Sequence, residues 1–280
     1  MRELAGKVAV ITGGASGMGR AFADRFAAER MRLVLADVEV PALDRAVDEL
    51  RDAGAAVIGV PTDVARLEDV RALADRTKRE FGGVHVVCNN AGVGGGSVIE
   101  SSIEAWEWVL GVNLWGVIHG CHVFLPELLA QDEGHIVNTA SLAGLHGAAG
   151  LGVYCTGKFA VVGLSESLHL ELVARESNVG VSVLCPGFVQ TRIFESHRNM
   201  PDHVRAAETP SAEVIDAQRA VIGMGLPTSV VADAVVEAVR DQRFFVLPHP
   251  RAARQMTEQR LTWMEGGDAP SVDVTALFRP

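Results

Sequence analysis

The run Val8-Ala-Val-Ile-Thr12 is wholly apolar up to its last residue. It leads directly into Gly13-Gly-Ala-Ser-Gly17-Met-Gly19, and a helical pattern over Met18–Arg30 follows. Few architectures place an apolar strand, a glycine-rich turn and a helix in that order. Glycines in such a turn let backbone come close to a pyrophosphate. The helix N-terminus adds unpaired N–H groups and the positive end of its dipole. Gly13, Ser16, Gly17, Met18 and Gly19 are therefore candidates for binding a dinucleotide. Taken alone, the motif also fits a plain tight turn.

The rest of the chain repeats the strand–helix theme. Strand candidates are Val8–Thr12, Arg32–Ala36, Ala56–Val60, Val84–Cys88, His135–Thr139, Gly180–Leu184 and Phe244–Leu247. They are rich in Val, Ile and Leu and do not alternate with polar residues, as expected of strands covered on both faces. Helical patterns such as Pro41–Ala53, Leu67–Phe81 and Val153–Ser177 lie between them. The expectation is an α/β fold: a doubly wound parallel sheet of Rossmann type, seven strands with helices on both faces. Right-handed crossovers would put every strand's C-terminal end on one edge, where ligands bind.

A single domain is expected over 1–250. It includes a long segment, 190–227, with no obvious strand, which reads as a substrate lid. The tail 251–280 reads as polar and irregular, able to wrap a neighbouring subunit or to fray.

Composition narrows the function. The chain of 280 residues is 48% hydrophobic and carries 35 acidic against 25 basic residues, a net charge of −10. Nucleic acid and anionic membrane are disfavoured as partners, since both need basic patches. Cys88, Cys121, Cys155 and Cys185 lie at least 30 residues apart. They read as reduced thiols of a cytoplasmic protein, and no metal site is expected. The N-terminus lacks an apolar signal core, and no uninterrupted apolar stretch reaches ~18 residues, so neither a signal peptide nor a membrane span is expected.

Asp37 ends the second strand, about two dozen residues after the first glycine. A carboxylate there can bind a ribose diol. A 2′-phosphate would meet Asp37 and Glu39, with no Lys or Arg inside the turn or directly after Asp37 to compensate. NAD(H) is therefore expected over NADP(H) by roughly tenfold to a hundredfold or more. Asp37 also fits a helix cap near Pro41.

Tyr154 and Lys158 stand four apart at the start of a long apolar helix, which puts them on one face. A phenol, with a pKa near ~10, is a poor base at neutral pH. A nearby ammonium would favour the phenolate. The pair could then take a proton from an alcohol or return one to an alkoxide. A structural tyrosine beside a solvated lysine fits the same spacing. Ser141 follows the strand His135–Thr139 and could bond the reacting oxygen, or could be a turn serine. Asn113 lies inside the helical run Val109–Leu125, where its amide competes with backbone bonds, so a local kink or an ordered water is expected, a surface amide being the alternative.

These motifs occur in the order Thr12–Gly19, Asp37, Asp63-Val64, Asn89-Asn-Ala-Gly92, Asn113, Ser141, Tyr154-x-x-x-Lys158, Pro186-Gly187 and Thr191. In that order they resemble the short-chain dehydrogenases/reductases, in their compact single-domain branch, from Lys7 to about Thr191. The resemblance implies a catalytic tetrad of Asn113, Ser141, Tyr154 and Lys158. Tyr154 would be the general acid/base, Lys158 would lower its pKa and hold the nicotinamide ribose hydroxyls, and Ser141 would orient the substrate oxygen. Asn113 would link Lys158 to a proton relay through its backbone carbonyl and a water.

The resemblance also implies that Asp63 and Val64 line the adenine pocket and that Asn90, Ala91 and Gly92 pass the adenosine-side ribose and steady the sheet. Pro186 and Gly187 are counted with the cofactor-binding residues, and Val189 and Thr191 would hold the carboxamide. A homotetramer or dimer is implied, with Val109–Gln131 and Val153–Ser177 pairing between subunits. One departure is Tyr154-Cys-Thr-Gly-Lys158, where the family often has Tyr-x-Ala-Ser-Lys. Gly157 costs about 0.5–1 kcal/mol of helix stability relative to Ala and admits a close neighbour.

The substrate pocket should lie between Gly94–Val98, Leu142–Val153 and the lid. The segment Leu142–Gly152 is small and apolar, and the lid offers Phe188, Ile193, Phe194, Met200, Ile222 and Met224. A hydrophobic secondary alcohol or ketone is therefore expected, with NAD as cofactor. Arg192 and His197 could bind an anionic tail, and His146 could touch substrate. The competing readings are an epimerase or dehydratase that uses the same Tyr–Lys pair with tightly held NAD, and a non-catalytic NAD-binding protein.

Overall fold

The structure, a computed structural model, describes residues 1–209 and 211–270. Seven parallel strands form one sheet: β1 (Val8–Thr12), β2 (Arg32–Asp37), β3 (Val57–Pro61), β4 (Val86–Asn89), β5 (Gly134–Thr139), β6 (Val179–Leu184) and β7 (Phe245–Val246). Their order is β3-β2-β1-β4-β5-β6-β7. The order reverses between β1 and β4, which opens a crevice at the carboxyl ends of these two strands.

Alternate residues of each strand serve two separate cores. Ala9, Ile11, Leu33, Leu35 and Cys88 face one side, where α1 (Gly17–Ala28), α2 (Val40–Asp52) and α9 (Thr228–Asp241) cover them. Val8, Val10, Val34, Ala36 and Val87 face the other, under α3 (Leu67–Phe81), α5 (Gly116–Gln131) and α6 (Gly152–Ala174). This two-sided burial explains the absence of polar alternation. α3 matches its expected bounds residue for residue. It carries Glu68 and Asp69 in its first turn, Lys78 and Arg79 in its last, and a left-handed Gly82 as its stop, all of which complement the dipole.

The helical stretch around Asn113 departs from regular α geometry without a break. α4 (Ile103–Leu110) passes through a π-turn, Gly111–Trp115, into α5. By length and composition alone, Ile103–Gln131 would pass for a membrane span. Polar interruptions at Glu104, Glu107 and Asn113 keep every uninterrupted run short. Its inner face, Val117, Cys121, Phe124 and Leu128, is buried on the sheet.

One expectation changes. The region after Pro248 is not irregular: α10 (Pro250–Met264) follows β7. Its buried stripe consists of Ala252 and Ala253, packed near Leu142, Phe188, Leu247 and Met256. A stripe made of alanines gives little hydrophobic contrast in a polar sequence. The helix docks on its own chain, with Arg260 over the Phe159 ring and donating to the Leu145 carbonyl at 3.4 Å. The rest of the expected tail, 271–280, lies outside the described residues. The segment 190–227 holds a 3-10 stretch Ile193–Asn199 and two helices, α7 (Asp202–Glu208) and α8 (Ala212–Gly223). A parallel bridge between Val189 and Leu226 closes its base.

Candidate active site

The glycine turn is built for close approach. Gly13 and Gly17 have φ of 64° and 55°, in the left-handed region. A Cβ at residue 19 would fall 2.1 Å from the Gly13 carbonyl oxygen, so no larger residue fits there. Ser16 precedes α1 without a side-chain capping bond. The first N–H groups of α1 thus lack a side-chain acceptor, which suits an anionic ligand. Met18 lies in the first turn of the same helix. Asp37 leans on the turn: one oxygen accepts from the Ala15 N–H at 3.1 Å, the other from the Glu39 N–H at 3.0 Å. Burial raises its pKa, and these two bonds oppose the rise.

Asp63 accepts from the Ala65 N–H at 3.0 Å. Val64 follows, 7% exposed, its carbonyl 2.9 Å from Nδ1 of His119. The segment after β4 is pinned to β1. The Thr12 hydroxyl accepts from the N–H groups of Asn90 and Ala91, and the Asn90 amide donates to the Thr12 carbonyl at 3.0 Å. Thr191 lies against the turn, with its Cγ2 3.3 Å from where a Gly17 Cβ would be. The residues present thus fit a dinucleotide laid across the switch point. This rests on the cradle at Gly19 that a Cβ would fill, the uncapped helix start and the carboxylate at the β2 end.

Lys158 comes one helical turn after Tyr154, as the spacing requires. It is 3% exposed, donates from Nζ to the Thr139 carbonyl at 2.9 Å, and sits 5.5 Å from the centroid of the Tyr154 ring. Burial pulls its pKa down to about 8. The Tyr154 phenol does not show the lowered pKa expected from the neighbouring ammonium. Burial pushes it up to about 12, with an opposing pull from the Ser141 hydroxyl. Desolvation dominates at the phenol. Ser141 itself accepts from the Ala143 N–H at 3.1 Å and donates to the Pro186 carbonyl at 3.3 Å.

Asn113 is fully buried, and its amide is consumed by one partner. Oδ1 accepts from the Val93 N–H at 2.8 Å, and Nδ2 donates to the Val93 carbonyl at 2.9 Å. The π-turn widens the helix at this point. A Cβ on Gly92 would stand 3.3 Å from Asn113 Oδ1 and 3.7 Å from Lys158 Nζ, so the three positions meet. The close neighbours at Gly157 are Asn113 and Leu110, each at an ordinary contact distance of 3.4 Å for an added Cβ. Cys155 is buried beside the tyrosine, like the other three cysteines.

The three expected pocket segments meet at this edge. The Val153 N–H donates to Gly96 at 3.1 Å, and the Gly94 N–H donates to Ser196 of the lid at 2.8 Å. Lid residues Met200 and Val204 pack on Ala105 of α4. The Arg192 charge is matched by Glu195. His146 is buried, and neither ring nitrogen has a partner.

Sequence reasoning missed several neighbours. The Gly187 N–H donates to Nδ1 of buried His249 at 3.1 Å, 62 positions away. Arg198 and Asn199 reach Glu39 from the lid. Thr139 and Ser196 act through a carbonyl and a hydroxyl that no motif marks. Only the prolines flanking His249 hinted at a fixed backbone there.

The chain belongs to the short-chain dehydrogenase family: the family model described as short chain dehydrogenase matches residues 7–202. It is an oxidoreductase of that NAD(P)-dependent family. A short-chain dehydrogenase/reductase from Burkholderia phymatum, solved in complex with NAD, is 45% identical with a TM-score of 0.91, over 97% of this chain and 99% of that one. The "CLA biosynthesis dehydrogenase/reductase" of Lactiplantibacillus plantarum is 31% identical over 98% of both chains. The 1-deoxy-11-beta-hydroxypentalenate dehydrogenase of Streptomyces exfoliatus is 35% identical over 90% of this chain and 86% of its own length.

Proposed function

We propose that this protein uses NAD to interconvert a hydrophobic secondary alcohol and its ketone. The observation that carries the reading is the placement of Tyr154 against Ser141, with Lys158 one turn on, at the crevice edge beside an uncapped glycine turn. The nicotinamide, when bound, accepts or donates the hydride. The turn residues Gly13, Ser16, Gly17, Met18 and Gly19 hold the pyrophosphate, Asp37 the adenosine ribose diol, and Asp63 and Val64 the adenine side. Asn90, Ala91 and Gly92 border the ribose region. Pro186, Gly187, Val189 and Thr191 form the nicotinamide end.

The proton belongs to this chain's own residues. Ser141 orients the substrate oxygen. Tyr154, neutral at physiological pH, donates its proton to that oxygen in reduction and takes it back in oxidation. Lys158 binds the ribose hydroxyls, and its positive charge eases formation of the phenolate. Asn113 fixes the loop at Val93 and leaves its backbone carbonyl for a water that returns the proton to solvent.

An apolar substrate is supported by the mouth. Val98, Ile99 and Met224 are exposed in segments that border it, while Leu142–Gly152 carries no Asp, Glu, Lys or Arg. Apolar groups that water would otherwise cover favour an apolar occupant. Two further elements complete the reading: a cytoplasmic location, and self-association through the groove lined by Ile118, His122, Leu125 and Leu168 of α5 and α6.

The test is the absorbance of reduced nicotinamide with NAD against secondary alcohols graded by hydrophobicity. NADH formation that Tyr154→Phe cuts by on the order of 10²–10⁴-fold, with NAD affinity kept within a few-fold, is expected. NAD binding without NADH formation from any alcohol would redirect the reading to an epimerase or dehydratase.

A further inference from the structure

The sequence places no cation near Asp37, but the fold brings one there. One oxygen of Glu39, two residues after Asp37, accepts three donors from the lid. These are Arg198 Nε at 3.0 Å, Arg198 Nη2 at 2.6 Å and Asn199 Nδ2 at 2.9 Å. The Glu39 backbone N–H is in turn bonded to Asp37 at 3.0 Å. The carboxylate assigned to the ribose, a second carboxylate and a guanidinium therefore share one edge of the cofactor crevice. Neither partner of the ion pair is fully solvated, with side chains 26% and 28% exposed. The other nearby arginine, Arg192, is matched by Glu195.

Guanidinium is the side chain best suited to a phosphate, because its planar fork bonds two oxygens at once. An arginine next to the ribose carboxylate would ordinarily invite a 2′-phosphate. Here its fork is already filled by Glu39. We propose that Glu39 and Arg198 form a second, lid-borne element of cofactor discrimination. Arg198 carries the cation that would meet a 2′-phosphate, and Glu39 holds it in an ion pair, so the adenosine end stays selective for an unphosphorylated ribose. Preference for NAD then depends on Asp37 and Glu39 together. The lid sequence becomes a determinant of cofactor choice, although it lies far from the glycine turn along the chain.

This inference rests on the NAD reading above and deepens it. The experiment is calorimetric titration of NAD and of NADP into the wild type, Glu39→Gln, Arg198→Met and the double variant. The ratio of the two dissociation constants is the readout, so any general loosening of the lid cancels. Glu39→Gln is expected to move the ratio toward NADP by about tenfold or more, the worth of a freed charge-assisted bond. Arg198→Met alone should leave NADP as weak relative to NAD as in the wild type. The double variant should lose most of the gain made by Glu39→Gln. An equal gain in Glu39→Gln and in the double variant would overturn the role of Arg198, since removal of a repulsive carboxylate would then account for all of it. No shift in any variant would overturn the role of the pair while leaving the NAD reading intact. Failure of the wild type to bind NAD would instead overturn the NAD reading, and this inference with it.

Discussion

The Gly187 N–H donates to Nδ1 of His249 at 3.1 Å, tying the end of β6 to the residue that precedes α10. The ring packs directly on Gly187, where an added Cβ would stand 3.2 Å from it. Burial lowers the His249 pKa, and Nδ1 is the acceptor because the Gly187 N–H can only donate. The loop bearing Val189 and Thr191 is thus positioned from behind by a histidine outside every motif. His249→Phe keeps a ring and removes the acceptor. It is expected to lower stability by about 1–3 kcal/mol and to raise the NAD Michaelis constant several-fold. His249→Asn, which restores an acceptor, should recover part of both. Urea unfolding and steady-state kinetics on the three proteins check this. An unperturbed His249→Phe would remove the histidine from any positioning role.

Asn113 spends both ends of its amide on Val93, at 2.8 and 2.9 Å. Asn113→Ala leaves a buried N–H and a buried carbonyl without partners. The expected loss is about 2 kcal/mol or more, with kcat down roughly ten- to a hundredfold through misplacement of the groups around Lys158. Asn113→Asp keeps the acceptor but sets a carboxylate against the Val93 carbonyl, and should be no better. Full activity in either variant would dissociate the π-turn from the chemistry.

Asp37→Ala removes a carboxylate that accepts from Ala15 and Glu39. The NAD Michaelis constant should rise about tenfold to a hundredfold, the range of a charge-assisted hydrogen bond, while that of the alcohol holds. Initial-rate kinetics with each substrate varied in turn will show it. A constant unchanged for NAD would take Asp37 out of the ribose site.

His135 sets a pH dependence of stability. It is fully buried, with Nε2 2.7 Å from the Ser182 hydroxyl, which itself donates to the Arg243 carbonyl at 2.6 Å. Nε2 must therefore donate, and the ring is neutral. Burial pulls its pKa down to about 3, while the unfolded chain takes up a proton near ~6.5. The folded pKa is depressed, so stability is complete above ~6.5 and is lost as pH falls toward 3. The loss from this residue is at most about 1.4 kcal/mol per pH unit. Urea midpoints at neutral and mildly acidic pH should converge in His135→Gln relative to the wild type. A wild type as stable in mild acid as at neutrality would refute it.

The local physics of the chain was legible in its sequence. Strands buried on both faces need continuous apolar runs, and Val8–Thr12 and Arg32–Ala36 supply them. Helical patterns between strands mark the crossovers, and Leu67–Phe81 was readable to the residue. A misfit amide inside a helix signals local irregularity, and Asn113 lies in the π-turn. Tyr154 and Lys158 had to share a face because helix geometry fixes their spacing. What the sequence could not carry was any relationship between residues far apart along it. Arg198 meets Glu39 across 159 positions and His249 meets Gly187 across 62. Nothing local at either end encodes the other. The balance at Tyr154 was also beyond it. A nearby cation would lower the phenol's pKa and burial raises it, and only the folded structure shows that burial dominates. Spacing determines which groups can meet on one element. The closing of loops over the sheet decides which of them meet across elements, and how much water is left between them.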